Sequence, residues 1–241
     1  MKRLLLGASS AVLALAAALP ASAQSNTAAQ SVDDIVVTAL RREESSQKVG
    51  LALTVISGQD LDNRNIGNVN DLENSVPSLE VDSQLGGGQP QFRIRGVGLT
   101  DYAANNTSTV GIYVDEVAYP YGVMTQGLLY DIARIEVLRG PQGTLYGRNT
   151  TGGAVSVITN APTDTVQAGF SASYGSYDAA KFEGFLSGPV AENLTARLSL
   201  AAESGGAWQY HRDTGESLGD KDTKAARLRV NWRPTAQTDI D

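Results

Sequence analysis

The chain has 241 residues, 41% of them hydrophobic and 19% charged, with a net charge of −7, an ordinary composition for a protein that builds its own core. The acidic balance and the lack of a basic stripe argue against a nucleic-acid partner. With no cysteine and a single histidine, His211, thiolate catalysis, cysteine metal sites and histidine clusters are excluded, and no metal or cofactor is expected.

Met1, Lys2 and Arg3 make a positive start, residues 4–19 are apolar, and Ala21-Ser22-Ala23 is a cleavage pattern, so residues 1–23 read as a secretory signal peptide. The apolar run is shorter than the roughly 20 residues of a spanning helix. Residues 24–46 are expected to form a disordered polar tail. Within it stands "DDIVVTA", Asp33, Asp34, Ile35, Val36, Val37, Thr38 and Ala39. Its β-branched content suits addition to the edge of a partner's sheet; an ordinary first strand of the next domain is the alternative.

Residues 47–160 alternate short strands with short capped segments. "LALTVIS", capped segments starting near Ser57 and Asn68, "SLEVD", "QFRIRG", "VGIYVDEV", "ARIEVLRG" and "AVSVIT" predict a compact α+β domain. The stretch "RIEVLRGPQGTLYGRNTTGGAVSVIT", 134–159, lacks both the Gly-Lys-Ser/Thr ending of a phosphate loop and the helix that follows a dinucleotide fingerprint. It reads as strand, glycine turns, strand. Two loops, 98–109 and 118–128, are rich in polar and aromatic groups.

After Pro162 the pattern changes to period two. Val166, Ala168, Phe170, Ala172 and Tyr174 share one face of the first segment, with Gln167, Gly169, Ser171 and Ser173 on the other. The second, 180–186, is blurred by Phe185. In the third, Leu194, Ala196, Leu198, Leu200 and Ala202 oppose Thr195, Arg197, Ser199 and Glu203, and in the fourth Ala226, Leu228, Val230 and Trp232 oppose Arg227, Arg229, Asn231 and Arg233. Four such strands, apolar outward and arginine inward, fit a transmembrane β-barrel.

Together, the signal peptide, "DDIVVTA", "FRIRG", "VGIYVDEV" and "IEVLRGPQGTLYGRNTTGGAVSVIT" resemble the TonB-dependent receptors of Gram-negative outer membranes, over essentially the whole chain. The 135–159 segment is the specific part. The resemblance implies an α+β plug domain, a small mixed sheet with short helices, at 47–160, followed at 161–241 by the first four antiparallel transmembrane β-barrel strands. It also implies a TonB box at 33–39 that pairs with the TonB energy transducer and its inner-membrane partners. Arg95 and Arg139, with Glu136 as a possible intradomain partner of Arg139, are the expected plug-barrel docking residues, the two arginines meeting acids on the barrel wall. Asp101, Tyr102, Asn105, Asn106, Tyr119, Tyr121 and Gln126 are candidate contacts for a small-molecule ligand such as an iron chelate.

The implied activity is energised uptake of a scarce nutrient, such as a ferric siderophore, through the cell outer membrane, with lipid against the apolar face. No acid-base or nucleophile constellation indicates an enzyme, so no catalytic residues are expected. Four strands leave the barrel incomplete, because open sheet edges in lipid cost several kcal/mol per unpaired group, and the chain is expected to be an N-terminal fragment. The alternative is a truncated, non-transporting periplasmic plug module that binds ligand or TonB.

Overall fold

The structure, a computed structural model, describes residues 36–38, 44–83, 89–99, 101, 103, 106–235 and 237–240. The signal peptide, the tail through Ile35, and Ala39, Tyr102 and Asn105 lie outside the described residues.

Two two-residue strands, β1 (Val36–Val37) and β2 (Glu44–Ser45), pair antiparallel. They are followed by β3 (Ala52–Ser57) and helix α1 (Gly58–Asn63). Ser57 caps α1 by accepting the Asp60 N–H at 3.1 Å, which satisfies one of the orphan donors of the first turn. A 3-10 turn, Val69–Asn74, opens with a capping box between Asn68 and Asp71. Both starts fall where the sequence places them, because a short polar cap just before an apolar residue is a local signal.

Strands β4 (Leu79–Ser83), β5 (Pro90–Ile94) and β6 (Val97–Gly98) form a three-stranded sheet. A hairpin of β7 (Val110–Val114) and β8 (Val117–Ala118) turns at Asp115 and Glu116, whose φ angles of 45° and 67° match the twist of the flanking strands. Strand β9 (Ile132–Arg139), helix α2 (Gly143–Tyr146) and β10 (Gly153–Thr159) complete a mixed sheet of order β3-β9-β10-β7-β8, in which only β10 and β7 run parallel. The glycine stretch is thus more than turns: it holds one short helix, stopped by Gly147 at φ 79°. Gly153 has φ 152°, and a Cβ there would lie 2.3 Å from the Leu138 carbonyl oxygen, so no other residue fits that crossing.

The mixed sheet has two cores, as the period-two pleat requires. On one face Ile56, Val110, Ile112, Ile135, Val137, Val155 and Val157 pack against Leu61, Leu72, Val81, Phe92 and Ile94. On the other, Tyr113, Leu138 and Ala154 are covered by Val37 and Val49. Fully burying each large aliphatic or aromatic side chain contributes roughly 1.5–3 kcal/mol, and these clusters fix the domain.

The second layer is an antiparallel sheet of order β11-β12-β13-β16-β17, built from β11 (Gln167–Tyr174), β12 (Ala180–Ala191), β13 (Leu194–Gly205), β16 (Lys221–Thr235) and β17 (Thr238–Ile240). The polar stretch between β13 and β16 carries its own small hairpin, β14 (Gln209–Tyr210) with β15 (Ser217–Leu218). Strand β16 starts five residues before the apolar alternation does, its polar Thr223 and Lys224 pairing with Glu203 and Ala202; the backbone ladder continues where the hydrophobic pattern stops. Among the described residues the sheet is open, with β11 and β17 at its edges.

Candidate functional site

The five-stranded sheet is inverted relative to a soluble one. Register places Ala168, Leu186, Leu198 and Leu228 in one row across the outer face, and Gln167, Ser187, Arg197 and Arg229 in the adjacent row on the inner face. Phe170 is 82% exposed while Ser199 is 1% exposed, so water-accessible surface is apolar and buried surface is polar. Phe185, which blurred the second segment, belongs inside. Its ring lies 3.9 Å under the Arg197 guanidinium, in room left by Gly169, where a Cβ would come within 2.7 Å of it.

This polar inner face meets the mixed-sheet domain through a charged seam. Asp131, immediately before β9, has a side chain 4% exposed and adopts φ 50°, a left-handed conformation that aspartate tolerates. Its carboxylate accepts Arg197 Nε at 2.7 Å and Nη2 at 2.5 Å, the Ser199 hydroxyl, and Asn160 Nδ2 at 2.8 Å. The backbone N–H of Asp131 donates to the Glu183 carboxylate. Arg227 Nη2 donates to the carbonyl oxygens of Tyr130 and Asp131 at 3.0 Å each, with its guanidinium over the Tyr130 ring.

A second contact joins β16 to the hairpin turn. Arg229 Nη1 donates to Thr159 O at 3.0 Å and to Thr159 Oγ1 at 2.9 Å, 3.7 Å from Asp115 Oδ1. The same Asp115 carboxylate accepts the Thr159 N–H at 2.9 Å and hydroxyl at 2.7 Å. Arginine suits these sites because its planar fork serves several fixed acceptors at once.

Burial alone would push the Asp131 carboxyl upward, but hydrogen bonds from Arg197, Ser199 and Asn160 and the Arg197 charge outweigh it, holding it below the usual carboxylate range. Burial raises the Tyr130 hydroxyl despite the neighbouring Arg227 charge. Asp131 therefore stays ionised near neutrality, and the seam sets arginines of the sheet against carboxylates of the filling domain, with Glu183 of β12 accepting a backbone N–H of that domain.

That polarity is opposite to the docking expected from the sequence, in which the filling domain supplies the arginines. Arg95 is exposed, at φ 55°, with Nη1 beside Gly140, and Arg139 Nε is buried without a hydrogen-bond partner among the described residues. Neither forms an ion pair there. Glu136 does not meet Arg139, since residues three apart on a strand point to opposite faces. It is fully buried and pairs with Arg134 Nε at 2.7 Å.

Of residues 33–39, the described part is Val36, Val37 and Thr38. Val37 is fully buried, Val36 is half exposed, and the Thr38 N–H donates to Glu136 Oε1 at 2.9 Å. The ligand-contact candidates fall into two groups. Asp101 accepts Asn106 Nδ2 at 2.5 Å in one exposed loop, while Tyr119 and Gln126 line a cavity of about 320 Å³ with Met124, Tyr130 and Arg227; Tyr121 is exposed. No described contact joins the groups. Sequence reasoning found the inward arginines by alternation but missed Asp131, Asp115, Thr159 and Asn160, whose partners lie far from them in the chain.

A small mixed-sheet domain gripped by the polar face of an open, apolar-backed antiparallel sheet is the class of fold that the described residues define. Residues 45–154 match the TonB-dependent receptor plug domain family, so the mixed-sheet domain belongs to that family. It is 30% identical over 177 residues to the pesticin receptor of Yersinia pestis, covering 73% of this chain and 26% of that one. It is 30% identical over 229 residues to the iron-regulated outer membrane virulence protein of Vibrio cholerae, covering 88% and 33%. The structure of the ferric yersiniabactin uptake receptor of Yersinia pestis superposes with a TM-score of 0.65 at 25% identity, over 78% of this chain and 29% of that one. The ferripyoverdine receptor of Pseudomonas aeruginosa shares the fold, with a TM-score of 0.69 at 19% identity over 85% and 26%. The chain thus spans about a quarter to a third of the length of these relatives.

Proposed function

We propose that the chain acts in TonB-energised uptake of an iron chelate across the outer membrane, with residues 47–160 as plug and the later strands as barrel wall. The observation that carries this is the inverted sheet. Its rows of Leu186, Leu198 and Leu228 suit hydrocarbon, and its inner Arg197, Arg227 and Arg229 are useful only against a polar filling. Similarity to the ferric yersiniabactin uptake receptor supports an iron chelate as cargo.

In this reading lipid covers the outer face, Asp101, Asn106, Tyr119, Tyr121 and Gln126 help to hold the ligand, and residues 33–39 pair with TonB. Ion pairs between plug and wall suit a domain that must stay seated yet move under force, because each can be broken singly. Arg95 and Arg139 provide further docking points for acids on the wall. The chemistry is transport, with no bond made or broken in the cargo.

The test is uptake of a radiolabelled ferric siderophore by a deletion strain complemented with wild type or with Val36→Pro. Proline removes a strand donor from the pairing with TonB, so surface binding should persist while uptake falls to background. Uptake at the wild-type rate would sink the box assignment, and recovery of the wild type in the soluble periplasm rather than the outer membrane would sink the barrel reading.

A further inference from the structure

We infer that the outside end of the second layer carries an aromatic platform, built by Tyr177, Trp208 and Tyr210, for a saccharide ring of the glycolipid that forms the outer leaflet. The inference rests on the reading of the apolar sheet face as lipid-facing. Short turns mark one end of that sheet, since β12 passes to β13 through Glu192 and Asn193, and the long stretch 206–220 with the β14-β15 hairpin marks the other. Outer-membrane barrels keep short turns on the periplasmic side and long loops outside. The outer-face row Tyr174, Ala180, Ser204 and Asp222 closes the apolar band at the outside end, so Trp208 and Tyr210 stand beyond the hydrocarbon.

The rings are seated on glycine and left bare. Trp208 and Tyr210, two positions apart on one strand, share a face and are 60% and 67% exposed. Across the hairpin the Trp208 N–H donates to Leu218 O at 3.1 Å, and a Cβ at Gly219, whose φ is 87°, would collide with the indole nitrogen. Gly215, at φ 72°, lies against the Tyr210 hydroxyl, where a Cβ would come within 3.7 Å. The neighbouring turn brings a third ring, because the Gly206 N–H donates to the carbonyl oxygen of Tyr177 at 2.6 Å, and the Tyr177 side chain is also exposed.

Aromatic faces carry the negative side of a quadrupole, and a sugar ring offers them C–H groups of weak positive charge, with hydroxyls left over for hydrogen bonds at the rim. The charges around the platform are largely matched. Lys221 pairs with Glu203 at 2.8 Å and Lys224 with Asp222 at 3.0 Å, while Asp178 and Glu216 accept the hydroxyls of Tyr174 and Thr214 at 2.6 Å and 3.2 Å. Arg212, Asp213 and Asp220 are exposed and screened by water and salt. A strongly charged partner therefore gains little here, whereas Thr214 and Ser217, the latter paired with Tyr210, supply neutral hydroxyls beside the rings. The saccharide of a glycolipid begins where its acyl chains end, which is the level at which the rings stand.

The experiment titrates the full-length protein in detergent, by isothermal calorimetry, with lipopolysaccharide bearing its core saccharide and with lipid A, which lacks it. The core-bearing form should bind more tightly, and Trp208→Ala and Tyr210→Ala should each weaken it about three- to tenfold, the scale of one aromatic contact. Trp208→Phe should stay near wild type, and lipid A binding should be unmoved by any of these changes. Gly219→Ala keeps both rings but displaces the indole, and should weaken core binding in the same way. The hairpin contributes to neither core, so the melting temperature of the ring variants should match wild type. Equal binding of the two glycolipids, or core binding indifferent to the rings, overturns the platform, as does a ring-dependent preference for soluble dextran or for polylysine. Failure of lipid A to bind is a separate result, which overturns the lipid-facing reading and with it the source assigned to the saccharide.

Discussion

Replacing Asp131 by alanine would leave Arg197, 6% exposed at its side chain, buried without its acid, and would strip Ser199 and Asn160 of their common acceptor. Removing one partner of a buried ion pair costs about 3–5 kcal/mol, because the remaining charge stays desolvated. The Phe185 ring stays under the guanidinium in wild type and variant alike, so the expected loss is about 3–5 kcal/mol. Arg197→Met with Asp131→Ala removes both charges, so the double variant should be less destabilised than the sum of the singles. The assay is urea unfolding in detergent micelles, followed by the fluorescence of Trp208 and Trp232, the two tryptophans of the chain, which both lie in the second layer. A loss under about 0.5 kcal/mol for Asp131→Ala, the range of ordinary surface substitutions, would refute the seam as the main attachment, as would strict additivity in the double variant.

Three further outcomes are expected. The Asp131 carboxyl is held below its unfolded value of about 3.9, so its contribution is present above that pH and lost as pH falls through the lower, folded value; the stability difference between wild type and Asp131→Asn, followed from pH 6 to pH 2, should shrink only below about pH 4. Gly153→Ala forces a Cβ against the Leu138 carbonyl at positive φ and should destabilise by at least about 1–3 kcal/mol, the cost of such backbone strain, measured by thermal melting; a wild-type melting temperature would contradict the crossing geometry. Charge reversal at both Arg95 and Arg139 should loosen the plug and raise leakage of small solutes in liposome-swelling assays, whereas wild-type permeability would show that neither arginine docks it.

Local pattern determined much of this protein. Alternation over 194–203 and 226–233 assigned Arg197, Arg227 and Arg229 to one face and Leu198 and Leu228 to the other, because a strand's side chains can only alternate. Caps at Ser57 and Asn68 were equally readable, since each depends on residues within a few positions of itself. What tertiary structure alone decided was who meets whom. Asp131 and Arg197 are 66 residues apart and Thr38 and Glu136 are 98 apart, and no periodicity links positions at such separations. The resemblance supplied a docking rule, arginine on the plug and acid on the wall, whereas the described seam runs the other way because the inner faces of β13 and β16 carry the arginines. Phe185 makes the same point: it broke the alternation in the sequence, and only the space over Gly169 and the guanidinium above it give an inward aromatic side chain a reason to be there.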